Sequence, residues 1–419
     1  MFHGELGDGG RAGATGVGRR AVAKAAVAGA ALVVTGGTGS AAARARVMGG
    51  VVPRLPAPTG PYPLGVAALH LVDRGRRDPW APAIAVRELM VTVFYPARDV
   101  RGRPVAPRMT ADAAATFAVL DPAVHPGLPT SGVDWAAAST HAHTDAPALP
   151  GRRPVLLYSP GGADPRTLGT GLAEELASRG RVVVTVDHPG DASEVDFPAR
   201  TAWRKKVRTT VFEGDPRKDP GLFRTAIGAR VADLRFVLDR LGVLAAGGNP
   251  DAAGRPLPDG LGRALDLRRV GAYGHSAGGT AVAQALYEDR RIGAAVCMEG
   301  YLDHPPQAPG REGELFPVAR YGVDRPLLLL GTDGFADQEA LERSWSAAAA
   351  HPGRHVRRRR IEGAGHWVFT DYGPVVARLH EAGLMTREDR VRMVGAMGAA
   401  ESVPLVRGLV GSFFDRWAA

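Results

Sequence analysis

Apolar and polar positions alternate from Arg87 through Glu88, Leu89, Met90, Val91, Thr92, Val93 and Phe94 to Tyr95, and the alternation stops at Pro96. That pattern predicts an antiparallel strand. Two later runs, Pro154–Tyr158 and Val182–Val186, are apolar throughout and end in turn residues: Ser159-Pro160-Gly161-Gly162 and Asp187-His188-Pro189-Gly190. Short runs of this kind fit strands covered on both faces. Between them Leu168–Arg179 reads as a helix closed by Gly180. Val231, Leu234, Val237, Leu238 and Leu241 recur at helical spacing, and Asp233, Arg235, Asp239 and Arg240 are placed on the opposite, polar face. Further on come a strand (Arg269–Tyr273), a helix (Thr280–Glu288) and three strands (Ile292–Met298, Pro326–Leu330, His355–Ile361). Phe413, Phe414 and Trp417 mark a terminal helix that docks back. Alternating strands and helices predict the α/β class, with a mainly parallel central sheet and helices on both faces. No internal repeat is visible, and 46–419 reads as one domain.

Composition narrows this picture. The chain has 419 residues, 45% of them hydrophobic, enough for a sizeable core. Its 55 Gly and 33 Pro are aperiodic and predict many tight turns rather than a collagen-like helix. The single cysteine, Cys297, excludes an intrachain disulfide framework and a Cys-rich zinc site. It lies in an apolar strand and reads as an inert core thiol. The formal charge of +9 is carried mostly by arginine, with acids interspersed. That reads as compositional bias rather than a nucleic-acid surface, and Arg357–Arg360 reads as a decorated strand edge.

The N-terminus has its own pattern. Gly18-Arg19-Arg20-Ala21-Val22-Ala23-Lys24 precedes an apolar run from Ala25 to Val34, broken at Gly29, and Ala43-Arg44-Ala45 has the A-x-A form of a cleavage site. Residues 1–45 are therefore expected to be a twin-arginine signal peptide, and the protein to be secreted. The run is too short for a spanning helix.

Gly274-His275-Ser276-Ala277-Gly278-Gly279 carries the candidate chemistry. In a glycine-rich chain a bare G-x-S-x-G is weak. Here a predicted strand runs directly in and a predicted helix directly out, as a nucleophile elbow requires. The serine would be held under backbone strain, with developing negative charge favoured by the helix N-terminus. A serine needs a base. His366, in Gly363-Ala364-Gly365-His366 after the last strand, is the candidate. His188, His275, His351 and His355 are worse placed. His141-Ala142-His143-Thr144-Asp145 has a metal-hydrolase rhythm, but no clustered ligands follow it, so no metal is expected. For the acid, Glu299 and Asp333 each end a strand, and Asp303 is a poorer choice. Spacing alone slightly favours Asp333.

The segment 193–230 holds Lys205, Lys206 and Lys218 with Phe197, Trp203, Phe212 and Phe223. It reads as a solvated surface insertion, with a cap or lipid-interface patch as the sharper alternative. Trp367 is either a wall of the acyl pocket or a packed aromatic.

From about Leu55 onward the chain resembles the plasma-type platelet-activating-factor acetylhydrolases and related secreted bacterial esterases and lipases. The resemblance rests on Pro58-Thr59-Gly60-Pro61-Tyr62-Pro63, Arg87–Pro96, Val155 to Gly161, Gly274–Gly279, Met298-Glu299-Gly300 and the stretch from Gly363 through His366 and Phe369 to Asp371. It implies an α/β-hydrolase fold and a serine esterase without metal or organic cofactor, acting on small or lipid-like esters. The family's acid is an aspartate after the nucleophile helix. Glu299 stands at that position, so the resemblance moves the expected triad to Ser276, Glu299 and His366. It also implies an oxyanion hole from the amides of Gly162 and Ala277, although Pro160 stands where the family often has histidine. A cutinase-like polyester hydrolase or acyltransferase on the same fold is one alternative, and a non-catalytic binding protein with that fold is another. No nucleic-acid partner is expected.

Overall fold

The computed structural model describes residues 50–418 apart from 309 and 354, so the leader expected over 1–45 lies outside the described residues. In chain order the first elements are β1 (Leu64–Asp73), β2 (Arg87–Pro96), β3 (Val105–Pro107), α1 (Ala111–Val124), β4 (Ser139–Thr144), β5 (Arg153–Ser159), α2 (Thr170–Ser178) and β6 (Val182–Val186). A small hairpin, β7 (Glu194–Asp196) with β8 (Val207–Thr209), precedes the long helix α3 (Pro220–Ala245). Then follow β9 (Leu265–His275), α4 (Ala277–Glu288), β10 (Ile292–Met298), α5 (Pro317–Arg320), β11 (Leu327–Thr332), α6 (Gln338–Ala349) and β12 (Val356–Ile361). Helices α7 (Tyr372–Glu381), α8 (Arg387–Val394) and α9 (Ala399–Ala418) end the chain.

Ten strands form one sheet in the order β12-β11-β10-β9-β5-β6-β2-β1-β4-β3. The six from β12 to β6 are parallel. β2 runs antiparallel to both β6 and β1, as its alternation predicts. Successive side chains go to opposite faces. Val155, Leu157, Ala295, Cys297, Leu327 and Leu329 join the core under α3, α4, α5 and α6. Leu156, Tyr158, Val296, Met298, Leu328 and Leu330 join the other, under α2 and α9. This double coverage is why β5, β6, β10 and β11 read as unbroken apolar runs.

Two expectations need correction. The segment 193–230 is not one insertion: Pro220–Arg230 is the first part of α3, capped by Asp219, whose carboxylate accepts from the amides of Gly221 and Leu222. The excursion proper is the hairpin and the turn that follows it. Asp233 is not on a solvent face. It is fully buried, because Arg87 of β2 donates to both its oxygens.

Candidate active site

Because the parallel strands are level at their carboxyl ends, the loops leaving β5, β9, β10, β11 and β12 emerge side by side. In register, Met298 faces His275 and Leu330, and Leu330 faces Arg359. Those loops carry Gly162, Ser276, Glu299, Asp333 and His366. Crevices outside strand carboxyl ends are where open α/β sheets bind ligands.

Ser276 sits between β9 and α4 with φ 52° and ψ −122°. Among the described residues four non-glycines have positive φ, and three of them, Ala163, Ser276 and Glu299, lie here. Strain of this kind persists only where the surroundings enforce it. The Ser276 amide donates to Met298 O at 2.8 Å. A Cβ on Gly274 would overlap the Gly278 carbonyl, and one on Gly278 the Ser159 carbonyl, so both glycines are sterically required. Ser276 and Ala277 are partly open, while the rest of β9's end and α4's start are buried.

His366 Nδ1 is 2.6 Å from Glu299 Oε2. The other Glu299 oxygen accepts from the Thr332 amide and, at 2.6 Å, from its hydroxyl. Burial alone would push this carboxyl up; the bonds from His366 and Thr332 outweigh it and hold it below the usual range. A buried carboxylate so placed fixes the Nδ1–H tautomer and leaves Nε2 as the proton acceptor. The His366 carbonyl accepts from His275 Nε2 at 3.0 Å, which ties the histidine to the residue preceding Ser276. Asp333 does not meet the imidazole. Its carboxylate accepts the amides of Gly363 (2.9 Å) and Ala364 (3.2 Å) and so shapes the loop that presents His366. Asp303 is buried against Arg343 and Arg217.

Gly162 lies beside Ala277: a Cβ on Gly162 would come 3.8 Å from that of Ala277 and 3.9 Å from Pro216 Cγ. The turn after the hairpin thus comes next to Gly162. Arg217 places its guanidinium 3.6 Å from the Tyr301 ring centroid, Tyr301 lies 5.5 Å from Phe335, and Phe335 lies 4.9 Å from the His366 ring. Trp367 is partly buried, edge-on to His125 at 4.4 Å and to His366 at 4.8 Å. His141 of the H-x-H-x-D run bonds Glu174 through Nδ1 at 2.8 Å. Cys297 is buried, and burial pushes its thiol up to about 12.

Sequence reasoning missed Thr332, Phe335 and a buried ion pair, Arg230 with Asp191. A usable signal exists for the last. Arg230 falls on the apolar stripe of α3, four residues before Leu234 and seven before Val237, where an unpaired charge would not survive.

A family model described as platelet-activating factor acetylhydrolase, isoform II, matches residues 136–390. Over 388 residues the chain is 26% identical to a protein of Arthroderma benhamiae named a probable 1-alkyl-2-acetylglycerophosphocholine esterase, covering 86% of this chain and 87% of that one. Among solved structures it resembles a ferulic acid esterase from Streptomyces cinnamoneus, with a TM-score of 0.66, 32% identity, and coverage of 87% of this chain and 92% of that one. The sheet and its helices are an α/β-hydrolase fold.

Proposed function

This chain belongs to the platelet-activating factor acetylhydrolase, isoform II family and is a carboxylic-ester hydrolase; from that premise we propose that it works through a Ser276–His366–Glu299 triad. His366 Nε2 takes the Ser276 proton as the oxygen attacks the ester carbonyl. The amides of Gly162 and Ala277 hold the oxyanion of the tetrahedral intermediate. His366 returns the proton to the departing alcohol, leaving an acyl-enzyme. It then activates water, which releases the acid and frees Ser276. Glu299 orients the imidazole and stabilises its charged form. The steps balance without a metal or organic cofactor.

The observation that carries this reading is the His366–Glu299 bond of 2.6 Å, made by a histidine whose carbonyl is bound to His275, the residue before a serine held at positive φ. Turnover of p-nitrophenyl acetate by wild type and Ser276→Ala tests it. The expected loss of kcat is at least about 10⁴-fold, with a fluorophosphonate adduct on Ser276 in the wild type alone. A Ser276→Ala protein as active as wild type sinks the reading.

The substrates in this reading are short-acyl or lipid-like esters, as in the name of the Arthroderma relative, and the protein is exported by the twin-arginine route. A second reading, aromatic acyl esters, is favoured by the ring wall of Phe335 and Tyr301 beside His366. It agrees with the ferulic acid esterase activity for which the Streptomyces protein is named. Comparing kcat/KM for an acetylated glycerophosphocholine and for ethyl ferulate separates the two.

A further inference from the structure

The loop that carries Gly162 is held from behind by one side chain. Arg230 is fully buried, and each of its five N–H donors has an acceptor. Nη1 donates to Pro160 O at 2.6 Å and to Ser159 Oγ at 3.3 Å. Nη2 donates to Gly161 O at 2.7 Å and to Asp191 Oδ1 at 2.6 Å, and Nε to Asp191 Oδ2 at 2.7 Å. Asp191 Oδ1 also accepts the Ala163 amide at 3.0 Å. Ser159 in turn is fixed by His188. Burial first, and the Arg230 charge second, hold that imidazole down to about 4, so it is neutral. Its Nδ1–H donates to Asp233 (3.0 Å), and its Nε2 accepts the Ser159 hydroxyl (2.9 Å).

The geometry of one peptide unit gives these bonds a consequence. The Gly161 C=O and the Gly162 N–H belong to the same planar trans peptide and point in opposite directions. With the carbonyl drawn inward to Arg230, the amide faces away from the core, on the side where Gly162, Ser276 and Ala277 are open. The Ala163 amide is taken by Asp191 and the Asp164 amide by Gly161 O. Gly162 is then the partly open residue of this loop whose N–H has no partner among the described residues. A buried ion pair is weak evidence for stability, since an apolar pair of similar volume often serves as well. What an apolar pair lacks is a fork of donors that sets two successive carbonyls at once.

We propose that Arg230, paired with Asp191, is the positioning residue of the oxyanion site: holding the Gly161 carbonyl inward aims the Gly162 N–H at the substrate's carbonyl oxygen. The inference rests on the reading that Gly162 and Ala277 bind the oxyanion.

The test uses Arg230→Lys, which keeps the charge but not the fork, and Asp191→Asn, which keeps the size but weakens the pairing. Each is compared with wild type in p-nitrophenyl acetate kinetics, thermal unfolding and inhibition by an aryl trifluoromethyl ketone. Ser276 adds to that ketone to give a tetrahedral oxyanion. For Arg230→Lys, kcat is expected to fall about 10²-fold, the scale of a lost oxyanion donor. KM should stay within about threefold, and ketone affinity should weaken in parallel with kcat/KM. The midpoint of the pH–rate profile should not move, because His366 and Glu299 are untouched. Asp191→Asn should lose about tenfold in kcat. Ketone affinity that stays at the wild-type value in both variants overturns the proposal, whatever happens to unfolding. The two readings fail separately. A wild type that turns over no ester, or turnover that survives Ser276→Ala, removes the hydrolase mechanism itself. Ser276-dependent turnover with indifferent Arg230 and Asp191 variants removes only the clamp.

Discussion

Glu299 leaves β10 with φ 54°, and both of its carboxylate oxygens are already engaged, one with Thr332 and one with His366. An amide cannot satisfy both sides. If Glu299→Gln turns its oxygen to His366, its NH₂ faces the Thr332 amide donor. If it turns the NH₂ to His366, the imidazole is forced into the wrong tautomer. Either way kcat should fall about 10³–10⁴-fold, as expected when the orienting acid of a triad is neutralised. Asp333→Asn is the control that spacing in the sequence calls for. Its contacts are loop amides, and an asparagine oxygen can still accept one of them, so kcat should change less than about tenfold. Steady-state kinetics on p-nitrophenyl acetate compares the two, and the reverse order would make Asp333 the acid. Spacing narrowed the candidate acid to strand ends and leaned towards Asp333; only the family resemblance pointed to Glu299. What decides which carboxylate meets the imidazole is the backbone just past the strand end: Glu299 reaches His366 from a positive φ that no pattern shows.

Elements covered by helices on both faces were legible, because burial on two sides leaves an unmistakable apolar run: β5, β6, β10 and β11 fall within a few residues of expectation. The elbow was legible for a related reason. Its strand, turn and helix follow one another without a gap. Polar edge elements were not. β4, Ser-Thr-His-Ala-His-Thr, is a strand because β1 and β3 pair with it, and no apolar run in its sequence marks it. The excursion between β6 and α3 was seen as a unit but not as anchored. Its anchor is Arg204, which donates to both Glu88 oxygens at 2.7 and 3.0 Å and lies 3.7 Å over the Phe197 ring. Burial pushes the Glu88 carboxyl up, but His70 and Arg204 outweigh it and bring it down to about 2. A carboxyl depressed in the folded state stabilises fully above its ordinary value of 4.5, and that contribution is lost as pH falls through about 2. Glu88→Gln should have the acid effect at neutral pH. Breaking a buried pair costs about 3–5 kcal/mol, but the hairpin can open locally and escape much of it. The expected result is tryptic cleavage after Lys205 or Lys206 at least about tenfold faster than in wild type. Equal cleavage rates would mean that Phe197 and the β7–β8 pairing hold the excursion without Arg204.

At the scale of the whole molecule the proposed mechanism gives the sheet two tasks. The strand carboxyl ends carry the proposed triad, and the two faces carry the apolar cores. The formal charge of +9 has no single address in this arrangement: Arg358 and Arg360 of the edge strand β12 meet Glu342 of α6, and Arg291 meets Asp239 and Asp289. The terminal helix was legible from Phe413, Phe414 and Trp417, and it closes the face opposite α4. Phe414 is fully buried, 6.4 Å from the Tyr273 ring, and so tight on β9 that a Cβ on Gly271 would come 2.6 Å from its Cε1. Truncating a buried phenylalanine removes its transfer free energy and leaves a cavity, so Phe414→Ala should cost about 3–5 kcal/mol. For a chain of this size that lowers the melting temperature by about 4–6 °C. The same substitution should leave kcat at 25 °C within about twofold of wild type. Phe414 touches the middle of β9, whereas Ser276 is held at its end by Met298 and the steric demands at Gly274 and Gly278. Thermal unfolding and kinetics on the same preparation check both halves. A large loss of kcat in a protein still folded at 25 °C would show that α9 acts on the elbow through Tyr273, and that stability and chemistry are not divided between the faces and the ends of this sheet.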